Sequence, residues 1–187
     1  MTILGVTASS ILKSQAAYES IASFTGTGGG SDTITFSSIP STYKHLQIRG
    51  SMRNTYGATG VGDLRLTFNS DSTSNYAIVR LIGLSNSVVG FGGASQTFIN
   101  IPYSVMNGGS TANLMGSMII DIPNYRSTKR KTAQIYNGGI YSTTEGYYQQ
   151  VNGFWLNTSA ITSISLLNPF GAFLTSASTI SLYGIKG

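Results

Sequence analysis

The stretch His45-Leu46-Gln47-Ile48-Arg49-Gly50-Ser51-Met52 alternates along its whole length, with Leu46, Ile48, Gly50 and Met52 on one side and His45, Gln47, Arg49 and Ser51 on the other. Successive side chains of an extended chain point to opposite faces, so this period of two predicts a strand with one buried and one wetted face. Leu64, Leu66 and Phe68 repeat the pattern around Arg65 and Thr67. Leu114, Gly116, Met118, Ile120 and Ile122 share one side of a longer run, and Met115 and Ile119 on its other side predict a strand covered on both faces. Tyr18 to Phe24, Thr33 to Phe36, Tyr76 to Leu81, Thr97 to Ile101, Lys131 to Tyr136, Tyr147 to Leu156, Ile161 to Leu167 and Thr179 to Ile185 bring the set to about ten strands. Pro102 reads as a strand end, and residues 83–96, rich in Gly, Ser and Asn, read as a long loop.

No helix competes with this pattern. Ile11 to Ile21 is the one candidate, and its serine and β-branched content makes it a poor one. Alternating strands must set their apolar faces against another sheet, so the expected fold class is all-β, an antiparallel β-sandwich. At 187 residues the chain suits one such domain. Residues 18–187 are assigned to it, and residues 1–17 to a short extended N-terminal arm. The arm is too short to fold alone, but Ile3, Leu4, Val6, Ile11 and Leu12 give it apolar surface to bury on a partner.

Charged residues make up only 9% of the chain, so hydroxyl and amide groups must wet the surface or subunit contacts must cover it, and an oligomer is expected. The net charge of +5 reflects six scarce acids more than eleven bases, and no nucleic-acid partner is expected. Arg126, Lys129, Arg130 and Lys131 do cluster, as a solvated turn or as a contact for a polyanion or an acidic neighbouring subunit. There is no cysteine, which removes disulfides and thiolate chemistry. No apolar run approaches the roughly 20 residues of a membrane span, and the N-terminus lacks the pattern of a signal peptide, so neither membrane insertion nor export is expected.

Tests for chemistry point away from catalysis. His45 is the single histidine and lies opposite its strand's apolar face, without the orienting acid and nucleophile of a triad or the companions of a metal site. The six acids are scattered, and nothing pairs two of them for glycan hydrolysis. Asn69, Asp71 and Thr73 have the spacing of a cation loop, but Ser74 and Arg80 occupy the positions of its glycine and closing glutamate; an Asx-stabilised turn accounts for them better. Gly26 to Gly30 has no Lys-Ser or Lys-Thr ending and reads as a flexible turn. No enzyme, metal or cofactor is therefore expected. Tyr147, Tyr148, Phe154 and Trp155 beside Gln149, Gln150 and Asn152 have the composition of a sugar-binding surface, although alternate members of a strand also fill cores. Tyr56 and Tyr141, in loops, are the better candidates for contact with a surface glycan.

Several segments resemble a known family. Tyr18-Glu19-Ser20-Ile21-Ala22 and Thr33-Ile34-Thr35-Phe36, running on to Arg49-Gly50, are similar to the opening of virion structural proteins of tailed bacteriophages, including cyanophages. Leu66-Thr67-Phe68-Asn69-Ser70-Asp71 with Asn75-Tyr76 resembles the family's Phe-Asn-Gly-Asp…Asn-Tyr segment, with Ser70 where glycine is usual. Trp155 to Ile164 and Ser181 to Lys186 resemble its closing strands, and Ile3 to Ser10 is similar to the N-terminal tags of phage fibre-like proteins. The resemblance covers nearly everything from residue 18 onward, and its motifs are structural rather than catalytic. It implies a jelly-roll-like sandwich on the virion surface, assembled in the host cytoplasm and held to other phage virion proteins of the tail or capsid by its arm. A homotrimer is expected. The roles implied are a tail fibre or receptor-binding tip that meets a host surface glycan, a capsid decoration protein that stabilises the head lattice, or, least, a glycan-degrading appendage.

Overall fold

The computed structural model describes residues 17–30, 33–140, 142 and 145–187. Among them are twelve strands: β1 (Tyr18–Thr25), β2 (Thr33–Phe36), β3 (His45–Met52), β4 (Val61–Phe68), β5 (Tyr76–Leu84), β6 (Ser87–Gln96), β7 (Ile99–Met106), β8 (Gly116–Ile122), β9 (Lys131–Ile140), β10 (Gly146–Trp155), β11 (Ile164–Leu167) and β12 (Thr179–Ile185). The described residues contain no helix. The strands form two antiparallel sheets, one of eight in the order β1-β12-β3-β8-β9-β10-β5-β6 and one of four in the order β2-β11-β4-β7. The fold class is all-β and sandwich-like, as the alternating segments predict.

Two hairpins account for the unequal sheets. β5–β6 leaves the chain between β4 and β7, β9–β10 leaves it between β8 and β11, and the two join through the β10–β5 pair to extend the larger sheet beyond β8. Without them, eight strands remain in two sheets of four, β1-β12-β3-β8 and β2-β11-β4-β7. Each step along those eight crosses from one sheet to the other, except β4 to β7, which are neighbours in the smaller one.

The core fills the space between the sheets. Leu46, Ile48 and Met52 of β3 are fully buried, as their alternation requires, and meet Leu64, Leu66 and Phe68 of β4 together with Ile164 and Leu166 of β11 in one cluster. Each such side chain stabilises the fold by roughly 1.5–3 kcal/mol through burial alone. Three expectations need correction. Residues 83–96 are mostly strand, not loop, because β6 pairs with β5 from Leu84↔Ser87 to Tyr76↔Gln96. Pro102 does not end its strand: β7 continues to Met106 through a bulge opposite Asp63, whose carboxylate accepts the Tyr103 N–H where that residue turns to a φ of 54°. β8 is covered on one face only, since Ser117 on its outer side is exposed and Ile119 half-buried.

At the end of β4 the chain reverses through Asn69 and Ser70, with φ of 51° and 55°, and the Asp71 N–H closes the turn on the Phe68 carbonyl at 2.9 Å. Two consecutive positive φ values define a type I′ turn, which strains any residue with a Cβ. Asp71 then anchors the corner. Its carboxylate accepts the Thr73 N–H and hydroxyl, the Asn75 amide at 3.0 Å and the indole N–H of Trp155 at 2.8 Å. Burial opposes ionisation of Asp71, but the hydrogen bonds from Thr73, Asn75 and Trp155 outweigh it and hold the carboxyl well below the usual carboxylate range. Tyr76 closes the corner by donating to the Asp71 carbonyl, and burial pushes its phenol up to about 12. The Asx-turn expectation for this segment thus describes its geometry.

Two outcomes follow. Ser70→Gly is expected to raise stability by roughly 0.5–1 kcal/mol in denaturant melts, because glycine adopts the positive φ without strain. A carboxyl with a lowered folded-state pKa stabilises the fold in full above its unfolded value of about 4, and this stabilisation is lost as pH falls further. Asp71→Ala should therefore cost about 2–3 kcal/mol at neutral pH and flatten the loss of stability below about pH 4. Fluorescence of Trp155, the only tryptophan, reports both changes.

Candidate functional site

β1 is an edge strand of the larger sheet, and its first residues, next to the segment expected to form the arm, are tied down on both faces. The Tyr18 ring stacks on Tyr183, with centroids 4.6 Å apart, and its hydroxyl donates to Gln47 Oε1 at 2.7 Å. Arg49 Nε donates to the same oxygen, while Gln47 Nε2 donates to Asp121. Glu19 accepts from Lys186 Nζ at 2.6 Å and from the Tyr43 hydroxyl at 3.0 Å; these two bonds lower its pKa, and the bond to Glu19 raises that of Tyr43. Tyr43 reaches Glu19 by lying flat on Gly184, where a Cβ would meet the ring at 2.3 Å. The arm residues Ile3, Leu4, Val6, Ile11 and Leu12 lie outside the described residues. The start of β1, the root to which they would join, lies within them.

Beside this root opens a cleft of about 830 Å³, whose walls include Glu19, Tyr43, Lys44, Asn124, Arg126 and Lys186. Arg126, from the predicted basic cluster, donates to the Ser41 carbonyl at its rim. Lys129 and Arg130 are exposed in the turn before β9. Lys131 departs from the expectation. It is only 2% exposed, its ammonium donates to the carbonyls of Ser127, Lys129 and Thr158, and burial lowers its pKa. It fastens the turn to the sheet and offers no charge to a partner. His45 Nδ1 accepts the Asn124 N–H at 3.1 Å, and among the described residues no three of His, Asp or Glu gather as metal ligands would.

The opposite end carries the loops. Arg53, just past β3, donates to the carbonyls of Gly108, Ser110, Thr111 and Leu114, a four-bond fork that holds residues 108–114 against the loop of Tyr56. Gly109 N–H bonds the Tyr56 carbonyl and Asn54 bonds Asn107, so the loop after β3 is braced rather than free. Tyr56 is 41% exposed and stacks on the equally open Phe170 at 5.5 Å. Tyr141, the other candidate contact, lies outside the described residues.

Between the two ends, the outer face of the larger sheet holds a shallow groove of about 460 Å³. Strand register puts Thr179, Ser51, Ser117 and Gly138 side by side as its floor. Arg49, Tyr136, Tyr148 and Tyr183 line it. Flat aromatic faces next to hydroxyls and a guanidinium are suited to a hydroxyl-rich ligand. Of the predicted sugar-binding stretch, Tyr148 is exposed here, while Tyr147, Gln149 and Trp155 point into the interior. Sequence alone does not reveal the groove: its residues are the polar half of each alternation, but they come from strands far apart in the chain. Comparison with protein-family models, curated proteins and solved structures gives no match.

The placement of the basic residues has a direct consequence. An amine-acylating reagent followed by peptide mass mapping is expected to modify Lys129 in the native protein and to leave Lys131 untouched until the fold is denatured. Equal labelling of the two would contradict the burial of Lys131.

Proposed function

We propose that this chain is a structural component of the bacteriophage particle surface, most fittingly a tail fibre or receptor-binding tip module anchored through its N-terminal arm. The observation that carries the reading is the polarity of the domain. The arm root and the cationic cleft share one end, and the braced aromatic pair Tyr56–Phe170 stands at the other. A part that must grip a particle and meet a host surface needs two such ends. The eight-strand frame agrees with it, since the orders β1-β12-β3-β8 and β2-β11-β4-β7 read as the two sheets of a jelly roll, an architecture used by viral capsid and lectin domains. Architecture alone does not assign a role; the two ends and the groove support this one. In this reading the arm binds other virion proteins, the outer groove and the Tyr56 end face a host surface glycan, and the chain binds rather than cuts.

A capsid decoration protein is the second reading, and the cleft of Lys44, Arg126 and Lys186 beside the arm root favours it, because cationic walls suit an acidic coat surface. Two experiments test the proposal. Deleting residues 1–16 is expected to abolish incorporation into particles while the isolated domain keeps its melting transition; unchanged incorporation would reject the arm's role. Antibody labelling of particles in negative stain is expected at the tail, and label spread over the head would replace the fibre reading with decoration.

A further inference from the structure

The outermost strand of the larger sheet is built unlike a protected edge. β6 has β5 on one side and no strand on the other among the described residues. Its sequence, Ser87-Val88-Val89-Gly90-Phe91-Gly92-Gly93-Ala94-Ser95-Gln96, holds no charge and no proline. Exposed edges ordinarily carry lysine, proline or an inward charge, because a free row of N–H and C=O groups pairs with any strand that meets it. The single such device here is a bulge at Ala94–Ser95, where two residues oppose Ala77 and Ser95 takes a φ of 52°; it leaves Ser87 to Gly93 regular.

Both faces of this edge are apolar and open. Val88 is 75% exposed, Leu81 55%, Val79 54%, Val89 49% and Phe91 47%. Val79, Leu81 and Val88 share the outer face, and Val89 and Phe91 the inner one, so apolar surface wraps around the free edge, the kind of exposed patch that marks a protein–protein contact. Gly83, Gly90 and Gly92 lie among the outward side chains of the hairpin, so a partner can approach the backbone closely there. The one charge on the hairpin, Arg80, is turned to the inner face and spent on the Phe91 ring, 4.4 Å from its centroid.

We infer that the β5–β6 hairpin is the surface through which this chain associates with further copies of itself. An uncharged patch gives no electrostatic recognition to a foreign partner, whereas a copy supplies the same uncharged apolar surface. The orientation of the copies rests on the attachment reading: if every arm root meets one particle surface, the symmetry axis runs along the strands, and equivalent positions of β6 come together. The hydroxyl-lined groove on the β3–β8 side then stays open.

Sedimentation velocity on the full chain is expected to show an oligomer, and Val88→Lys, which touches no core residue, to weaken self-association by about tenfold or more without moving the melting transition. Because the chain has no cysteine, Val88→Cys is expected to cross-link to its own copy on mild oxidation, while Thr162→Cys, on a distant turn, is not. A monomer at the highest attainable concentration would overturn the inference, as would an oligomer that Val88→Lys leaves intact. An oligomer sensitive to Val88→Lys, combined with a Val88→Cys variant that does not cross-link, would overturn the shared orientation. Deleting residues 1–16 should leave the oligomer unchanged, so a failed attachment reading and a failed interface give different results.

Discussion

Four strands cover only part of an eight-stranded sheet, and most of the molecule's character depends on that inequality. Where β2, β11, β4 and β7 lie over β12, β3 and β8, the space between is closed and filled by Leu46, Ile48, Ile120, Leu64, Leu66 and their neighbours. Toward β9, β10 and β5 the interior turns mixed: Gln149 and Asn137 are buried and bonded to each other, and Asn137 reaches the carbonyls of Pro102 and Tyr103 in the β7 bulge. Among the described residues no layer covers β6. The same excess of sheet gives the outer face room for a groove floored by small hydroxyl residues.

Hydrogen bonds at the two ends turn this frame into an oriented body. At one end Asp71 gathers Thr73, Asn75 and Trp155, and Glu19 gathers Tyr43 and Lys186, so that corner and arm root are held by ionised acceptors with several donors each. Such bonds are stronger than neutral ones, and they fasten the first residues of β1 and the corner after β4 at the same end of the sandwich. At the other end Arg53 does the corresponding work with neutral carbonyls, tying two loops that neither sheet supports.

How far the sequence could be read follows from which interactions are local. Period-two stretches such as His45–Met52 and Leu64–Phe68 announce themselves, because burial on one face and solvent on the other are written into alternate residues. β6 does not, since with both faces open it has no reason to alternate, and its glycines and serines read as loop. Pro102 reads as a stop until Asp63, from a different strand, supplies the acceptor for the bent backbone beyond it. Lys131 reads as one more charge in a basic run; only its place as the first residue of β9, above the carbonyls of its own turn and of Thr158, shows it to be interior. The groove is legible residue by residue but not as a site, because register between distant strands assembles it.

The pairing of β1 with β12 also has a consequence in time. Among the described residues the first strand pairs only with the last, so that the Ser23 hydroxyl bonds that of Ser181, 158 residues further along the chain. During synthesis β1 therefore waits at the margin while the rest of the frame closes, and Glu19 has no Lys186 to bond until nearly the whole chain has emerged. The Glu19–Lys186 pair therefore joins residues from the two ends of the described fold, and its presence reports that first and last strands have met.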